Sequence, residues 1–155
     1  MQAVEAAALL NAVGQDVTAV AAHTHLLEEM LAPFNTIHAI LKTASGRSGS
    51  FNIPFGTELK STFEIEVVTT NGAVTVTRNM VKVARRITSG KQEVEQIEVV
   101  FSAGVKAEVL AFAASIKTGV PDPRASPLEA LADIRVMQSM LESGEEDGVV
   151  KFIGG

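Results

Sequence analysis

Cysteine, tryptophan and tyrosine are all absent from the 155 residues. Without cysteine the chain has no disulfides, no thiol nucleophile and no cysteine-based zinc site. Without Tyr or Trp it lacks the usual stacking platform for single-stranded nucleic acid. Basic runs are missing too. No Lys/Arg cluster is longer than Arg85-Arg86, and the net charge is −5 with a pI near 5.2. That balance argues against nucleic acid and against an anionic membrane as partners. No apolar stretch approaches the roughly 20 residues that span a bilayer. The N-terminus has no basic n-region ahead of a long apolar run, so no secretory signal is expected and the expected location is cytoplasmic.

What is present is 46% hydrophobic, enough for a sizeable core, in a length that suits a single domain over 1–155. The spacing of Val4, Ala7, Ala8 and Leu10 predicts a helix over 2–14 that stops at Gly14. Asp16 to His25 reads as a strand, and 26–35, which holds Pro33, as a loop. Alternating apolar residues then predict strands over 36–43, 50–56, 62–69, around Val74 and Val76, around Val81 and Val83, and over 91–101. Asn71-Gly72 between two such runs is a hairpin signal. Val105, Val109, Phe112 and Ile116 lie at helical spacing, ended by Gly119, Pro121 and Pro123. A second helix starts at Ser126-Pro127-Leu128-Glu129, a capping box with proline at its first position. Its apolar stripe is Leu128, Leu131, Ile134, Met137 and Leu141, its stop is Ser143-Gly144, and a last short strand fits 149–153. The expected class is α+β: a largely antiparallel open sheet of about six or seven strands, with helices packed on one face. The other face is mixed, with His38, Lys42, Asn52, Glu64, Glu66, Thr75 and Thr77 interrupted by Ile40 and Val68. Such a face wants water, a ligand or a second subunit against it.

An ordered series of segments resembles a known family. It runs Val17-Thr18-Ala19-Val20-Ala21-Ala22-His23-Thr24, then Ser50 to Gly56 after a glycine-rich turn, then Gly104-Val105-Lys106-Ala107-Glu108-Val109-Leu110-Ala111-Phe112. Gly119-Val120-Pro121-Asp122-Pro123-Arg124-Ala125-Ser126-Pro127 and Glu129-Ala130-Leu131-Ala132-Asp133 complete it. The series is similar to the C-terminal domain of the glucose–fructose oxidoreductase/inositol dehydrogenase (Gfo/Idh/MocA) family, fungal members in particular, over nearly the whole chain. The resemblance implies an N-terminal Rossmann domain that holds NAD(P), yet no glycine-rich turn between strand and helix matches its fingerprint here. The family's Glu-Lys-Pro segment with its lysine is absent, and its active-site histidine would fall at or next to Met1. The expectation is therefore a domain without a cofactor of its own, unable to act alone as a dehydrogenase.

Among polar residues, His23 and His25 sit two apart on one strand and share a face. His38 lies mid-strand on the mixed face. Histidine titrates nearest neutrality, so these three are the catalytic candidates if a proton is moved. Each has a plainer reading, as a polar residue near a strand end or in an interface. A three-histidine metal site is set aside because no acidic support is identifiable. Asn52, Lys42, Glu64 and Glu66 are the candidate substrate-binding residues. Paired carboxylates such as Glu64 and Glu66 do acid–base work when burial separates them, and otherwise form a solvated strand face. There is no Gly-x-Ser-x-Gly elbow, so a serine hydrolase is not expected. The functional expectation is a cofactor-independent cyclase or isomerase acting on an apolar small molecule, through orientation and a few placed donors. It carries with it a homodimer formed through the open sheet face. The alternatives are a substrate-binding or oligomerisation fragment of an NAD(P)-dependent oxidoreductase, or a non-catalytic interaction protein.

Overall fold

A computed structural model describes residues 16–55, 62–87, 90–102, 104–123 and 126–154. The helix expected over 2–14 lies outside the described residues, as does Gly56. Eight strands and two α-helices are described, and every strand pair is antiparallel. The expected α+β class is therefore present. The strands fall into two four-stranded sheets. Alternation marks each strand and its faces, but it does not say which strand edges join. The chain divides accordingly into two compact units, residues 1–57 with 111–155, and residues 58–110.

In the first unit, β1 (Val17–His25), β2 (Thr36–Thr43), β3 (Ser48–Pro54) and β8 (Lys151–Phe152) stand in the order β3-β2-β1-β8. The β2–β3 turn contains Gly46 at φ 79°, a left-handed conformation that glycine adopts without penalty. In β1 the pairing slips between Val17 and Ala19, so Thr18 is an extra residue opposite β2. The bulge returns Val17 to the face that holds Val20 and Ala22. All three are buried, with Ile37, Ala39, Leu41 and Phe51 of the neighbouring strands.

That face is covered by α2 (Pro127–Glu145). Ser126 caps it by accepting from the Leu128 N–H at 3.2 Å, and Pro127 occupies the first turn, where its missing donor costs nothing. The packed stripe is Val136 and Met140, flanked by Met137 and Leu141 and by buried Asp133 and Ser143. Leu128, Leu131 and Ile134, expected in the core, are exposed. The helix is rotated from the expected orientation because its small residues meet β1. Any Cβ on Gly144 would press into the Thr24 side chain. The Ser143 hydroxyl accepts from the Ala22 N–H at 2.8 Å and donates to the Val149 carbonyl at 2.7 Å. Since β8 pairs β1 only at Ala19 and Val20, Ser143 supplies a partner the sheet lacks at Ala22. The helix therefore runs past Ser143-Gly144, and the chain turns at Asp147 (φ 55°) and Gly148 (φ 86°).

In the 58–110 unit, β4 (Glu64–Thr69), β5 (Gly72–Thr77), β6 (Met80–Arg86) and β7 (Gln92–Glu98) form a meander in sequence order. Thr69 pairs with Gly72, so the first turn is made by Thr70 and Asn71 rather than by Asn71-Gly72. Thr69 Oγ1 shapes it, donating to the Gly72 carbonyl and accepting from the Asn71 N–H. Gly72 instead lets β6 approach, because a Cβ there would run into the Ala84 carbonyl oxygen. One face of this sheet carries Ile65, Val67, Val74, Val76, Val81, Val83 and Ile97. None of these, nor any other described residue from 62 to 102, is fully buried. The first α-helix, α1 (Val105–Thr118), spans the division between the units. It ends as expected at Gly119 (φ 71°), and Val105, Val109, Phe112 and Ile116 are exposed.

Candidate functional site

The outer face of the first sheet gathers the sequence's candidate histidines. His23 lies directly opposite His38 on β2, and His38 lies directly opposite Asn52 on β3, so the three form a row across three strands. His38 Nδ1 is 3.0 Å from Asn52 Oδ1. The amide oxygen only accepts, so in this contact the imidazole Nδ1–H donates, and Nε2 lies outside it. His25 stands diagonally across, its ring centroid 6.3 Å from that of His38 with the planes at 53°. Opposite His25 is buried Thr36.

His23 leaves the row at its other end for the α2–β8 turn. Its Nδ1 is 3.5 Å from an Asp147 carboxylate oxygen that is fully exposed, a contact that water screens heavily. Gly148 packs so closely that an added Cβ would sit 2.7 Å from His23 Cε1. Asp147 and Gly148 thus hold one side of this imidazole. The visible sequence sign was Asp-Gly in a charge-rich turn, which alone reads as a solvated loop end. Asn35 was missed for a similar reason: it reads as a turn residue, yet it is buried and closes the 26–35 loop. Its Oδ1 accepts from the Leu27 N–H at 2.8 Å, and its N–H donates to the His25 carbonyl at 3.0 Å.

The other candidates are not drawn into this row. Lys42 is on the same outer face, but exposed Ile40 separates it from His38 along β2. Glu64 and Glu66 belong to the other unit, where they share a strand face as expected and pair with Thr77 and Thr75. Both are exposed.

Chemically the row offers three imidazoles and a carboxamide on an exposed surface. Two depressions among the described residues lie elsewhere. One of about 320 Å³ lies at the β4–β5 turn, and one of about 300 Å³ lies between α2 and β8, lined by Arg135, Glu142 and Phe152 among others. Among the described residues no group of three His, Asp or Glu side chains is arranged to hold a metal ion. A Rossmann dinucleotide site is built on a parallel strand–turn–helix crossover with a glycine-rich turn. The described strands pair only as antiparallel neighbours, so that crossover is not among the described residues. No helix among them is long and apolar enough to cross a membrane.

Comparison with known proteins adds the family context. The family described as "Oxidoreductase family, C-terminal alpha/beta domain" (Gfo/Idh/MocA) matches residues 6–152. The chain is 43% identical over 145 residues to "Dehydrogenase FPY6" of Fusarium mangiferae, covering 94% of this chain and 42% of that protein. Among solved structures it resembles an oxidoreductase domain protein from Kribbella flavida at TM-score 0.81 and 13% identity, covering 95% of this chain and 47% of that one. It also resembles the WlbA dehydrogenase from Bordetella pertussis, solved with NADH and UDP-GlcNAcA, at TM-score 0.72 and 19% identity. That match covers 99% of this chain and 44% of the other. The chain thus spans less than half the length of each of these relatives.

Proposed function

The chain belongs to the Gfo/Idh/MocA oxidoreductase family, matching its C-terminal alpha/beta domain, and from that membership we propose that it serves as the substrate-side and assembly domain of an NAD(P)-dependent oxidoreductase. The observation that carries this reading is the His23–His38–Asn52 row: polar, ordered by cross-strand pairing and exposed on a sheet face. A face of that kind is suited to recognition by another protein surface or to one wall of a site completed by one. In this proposal the nucleotide is held by a separate nucleotide-binding region, and a second copy of the chain covers the outer face, meeting Ile40 and the histidines. Lys42 lies on the same face and belongs to the same contact.

The cofactor-independent cyclase or isomerase takes second place. One observation favours it: His38 Nδ1 is tied to Asn52, which leaves Nε2 outside that hydrogen bond for a role in proton transfer. It also requires enclosure of an apolar substrate, for which a pocket of about 300 Å³ or more at the histidines is the ordinary requirement, and the depressions described above lie at other residues. In that reading a second copy would have to close the face over the substrate.

The test is a chimera in which this chain replaces the matching 42% of the Fusarium dehydrogenase, assayed beside the chain alone for NAD(P)H turnover on sugars and polyols. Nucleotide-linked turnover by the chimera, with none by the chain alone, is expected. Conversion of an apolar polyene by the chain alone, without nucleotide and abolished in His38→Ala, would establish the cyclase reading instead.

A further inference from the structure

We propose that the 58–110 unit carries a binding site of its own, a cationic depression at one end of its sheet that takes a small organic anion through a carboxylate or phosphate group. The floor follows from register. Ala73 and Ala84 face each other on β5 and β6, with Val68 opposite Ala73 on β4. Two methyl side chains between longer neighbours leave a dent of about 320 Å³. Three of the chain's 13 basic residues, Arg85, Arg86 and Lys91, line it, and no acidic residue does, in a protein of net charge −5.

The two arginines differ in what faces them. Arg85 pairs directly with Glu93, and its guanidinium is 3.5 Å from Glu95, so that face is compensated. Arg86 points to the opposite face, the one bearing Ala73 and Ala84, where the residue opposite it is the neutral Gln92. Asn71 reaches the same rim, its carbonyl accepting from the Arg86 N–H at 2.9 Å. Arg86 and Lys91 have no acidic partner among the described residues. The geometry therefore sets an uncompensated guanidinium and ammonium beside two amide side chains and above an apolar floor. A guanidinium fork binds carboxylate or phosphate oxygens two at a time, and a concave site with one sign of charge concentrates the field on such a ligand. The apolar floor suits a short hydrocarbon or sugar body behind the charged group.

The site is tested by nuclear magnetic resonance on the full chain, titrated with inorganic phosphate and separately with butyrate, each against sodium chloride at matched ionic strength. Saturable shifts centred on the amides of Asn71, Gly72, Ala84 and Gln92 are expected with at least one anion, and the tighter of the two identifies the preferred group. The Arg86→Gln/Lys91→Gln variant should bind at least about tenfold more weakly, with its remaining spectrum unchanged, whereas Arg85→Gln should lose less because Glu95 already opposes Arg85. Shifts reproduced by chloride, shifts spread over all cationic residues, or equal binding by the double variant would overturn the proposal.

Discussion

In the unit built on β1, β2, β3 and β8, the side chains of Val20, Leu41 and Met140 each retain 1% of their accessible surface, while in the 58–110 unit Val74 keeps 37% and Ile97 45%. Both sheets carry alternating apolar and polar residues, and both are four-stranded and antiparallel. What separates them is the layer on top. The first sheet has α2, whose Val136 and Met140 meet its apolar face and whose Ser143 stitches onto β1. The second has a continuous Val/Ile face that no described residue buries. An alternating strand offers a face, but burial needs a second element to supply the other half of the core. A sheet face stabilises the chain in proportion to the apolar area removed from water, so the two units should respond differently to equivalent substitutions.

The sharpest contrast is expected from core truncation. Met140→Ala should cost about 2–5 kcal/mol, the ordinary range for emptying a buried site. Urea unfolding followed by circular dichroism would read the loss, and a loss under about 1 kcal/mol would mean that α2 does not seal the first sheet. Ser143→Ala comes next. It leaves the Ala22 N–H buried without its partner, at a cost of about 1–3 kcal/mol. Amide exchange at Ala22 should quicken in step, and unchanged exchange would show that the strand edge is satisfied in another way. Gly72→Ala acts in the other unit. The added methyl meets a backbone carbonyl that has nowhere to go, so about 1–3 kcal/mol of local destabilisation is expected. Exchange should rise across β5 and β6 while β1 and β2 stay protected, and a uniform rise would merge the two units into one cooperative body. The smallest effect belongs to Val83→Ala on the uncovered face, under about 1 kcal/mol, because little area is lost from a half-exposed site. A loss equal to that of Met140→Ala would show that the face is covered in solution.

Much of the local structure was legible before any coordinates. Alternation located the strands within a few residues, Ser126-Pro127 marked the start of α2, and Gly119 marked the end of α1. The shared face of His23 and His25 followed from a two-residue period. Their meeting with His38 and Asn52 did not, because it depends on the register of β1 against β2 and of β2 against β3. That register slips at Thr18, where no sequence sign marks the bulge. The buried stripe of α2 was read only in part for a related reason. Met137 and Leu141 pack against the core as expected, but Leu128, Leu131 and Ile134 stay exposed and Val136 and Met140 take the centre, where Ser143 and Gly144 let the helix close on β1. Ser143, Asn35 and Gly148 are small polar or flexible residues that read alike in a solvated turn and in a packed one.

The sequence by itself determined the α+β class, the antiparallel strands, the start of α2 and the end of α1, because these depend on periodicity, caps and breakers acting over a few neighbouring residues; the family followed from the resemblance of an ordered series of segments. Tertiary structure alone decided that the strands part into two sheets, that only the first is sealed by α2, and that three histidines and an asparagine share one surface. Those outcomes depend on strand register and close backbone approach between residues up to 121 positions apart, as in the bond from Ala22 to Ser143. No local pattern encodes such a distance, since the free energy that selects it comes from burial and hydrogen-bond satisfaction across the assembled layers.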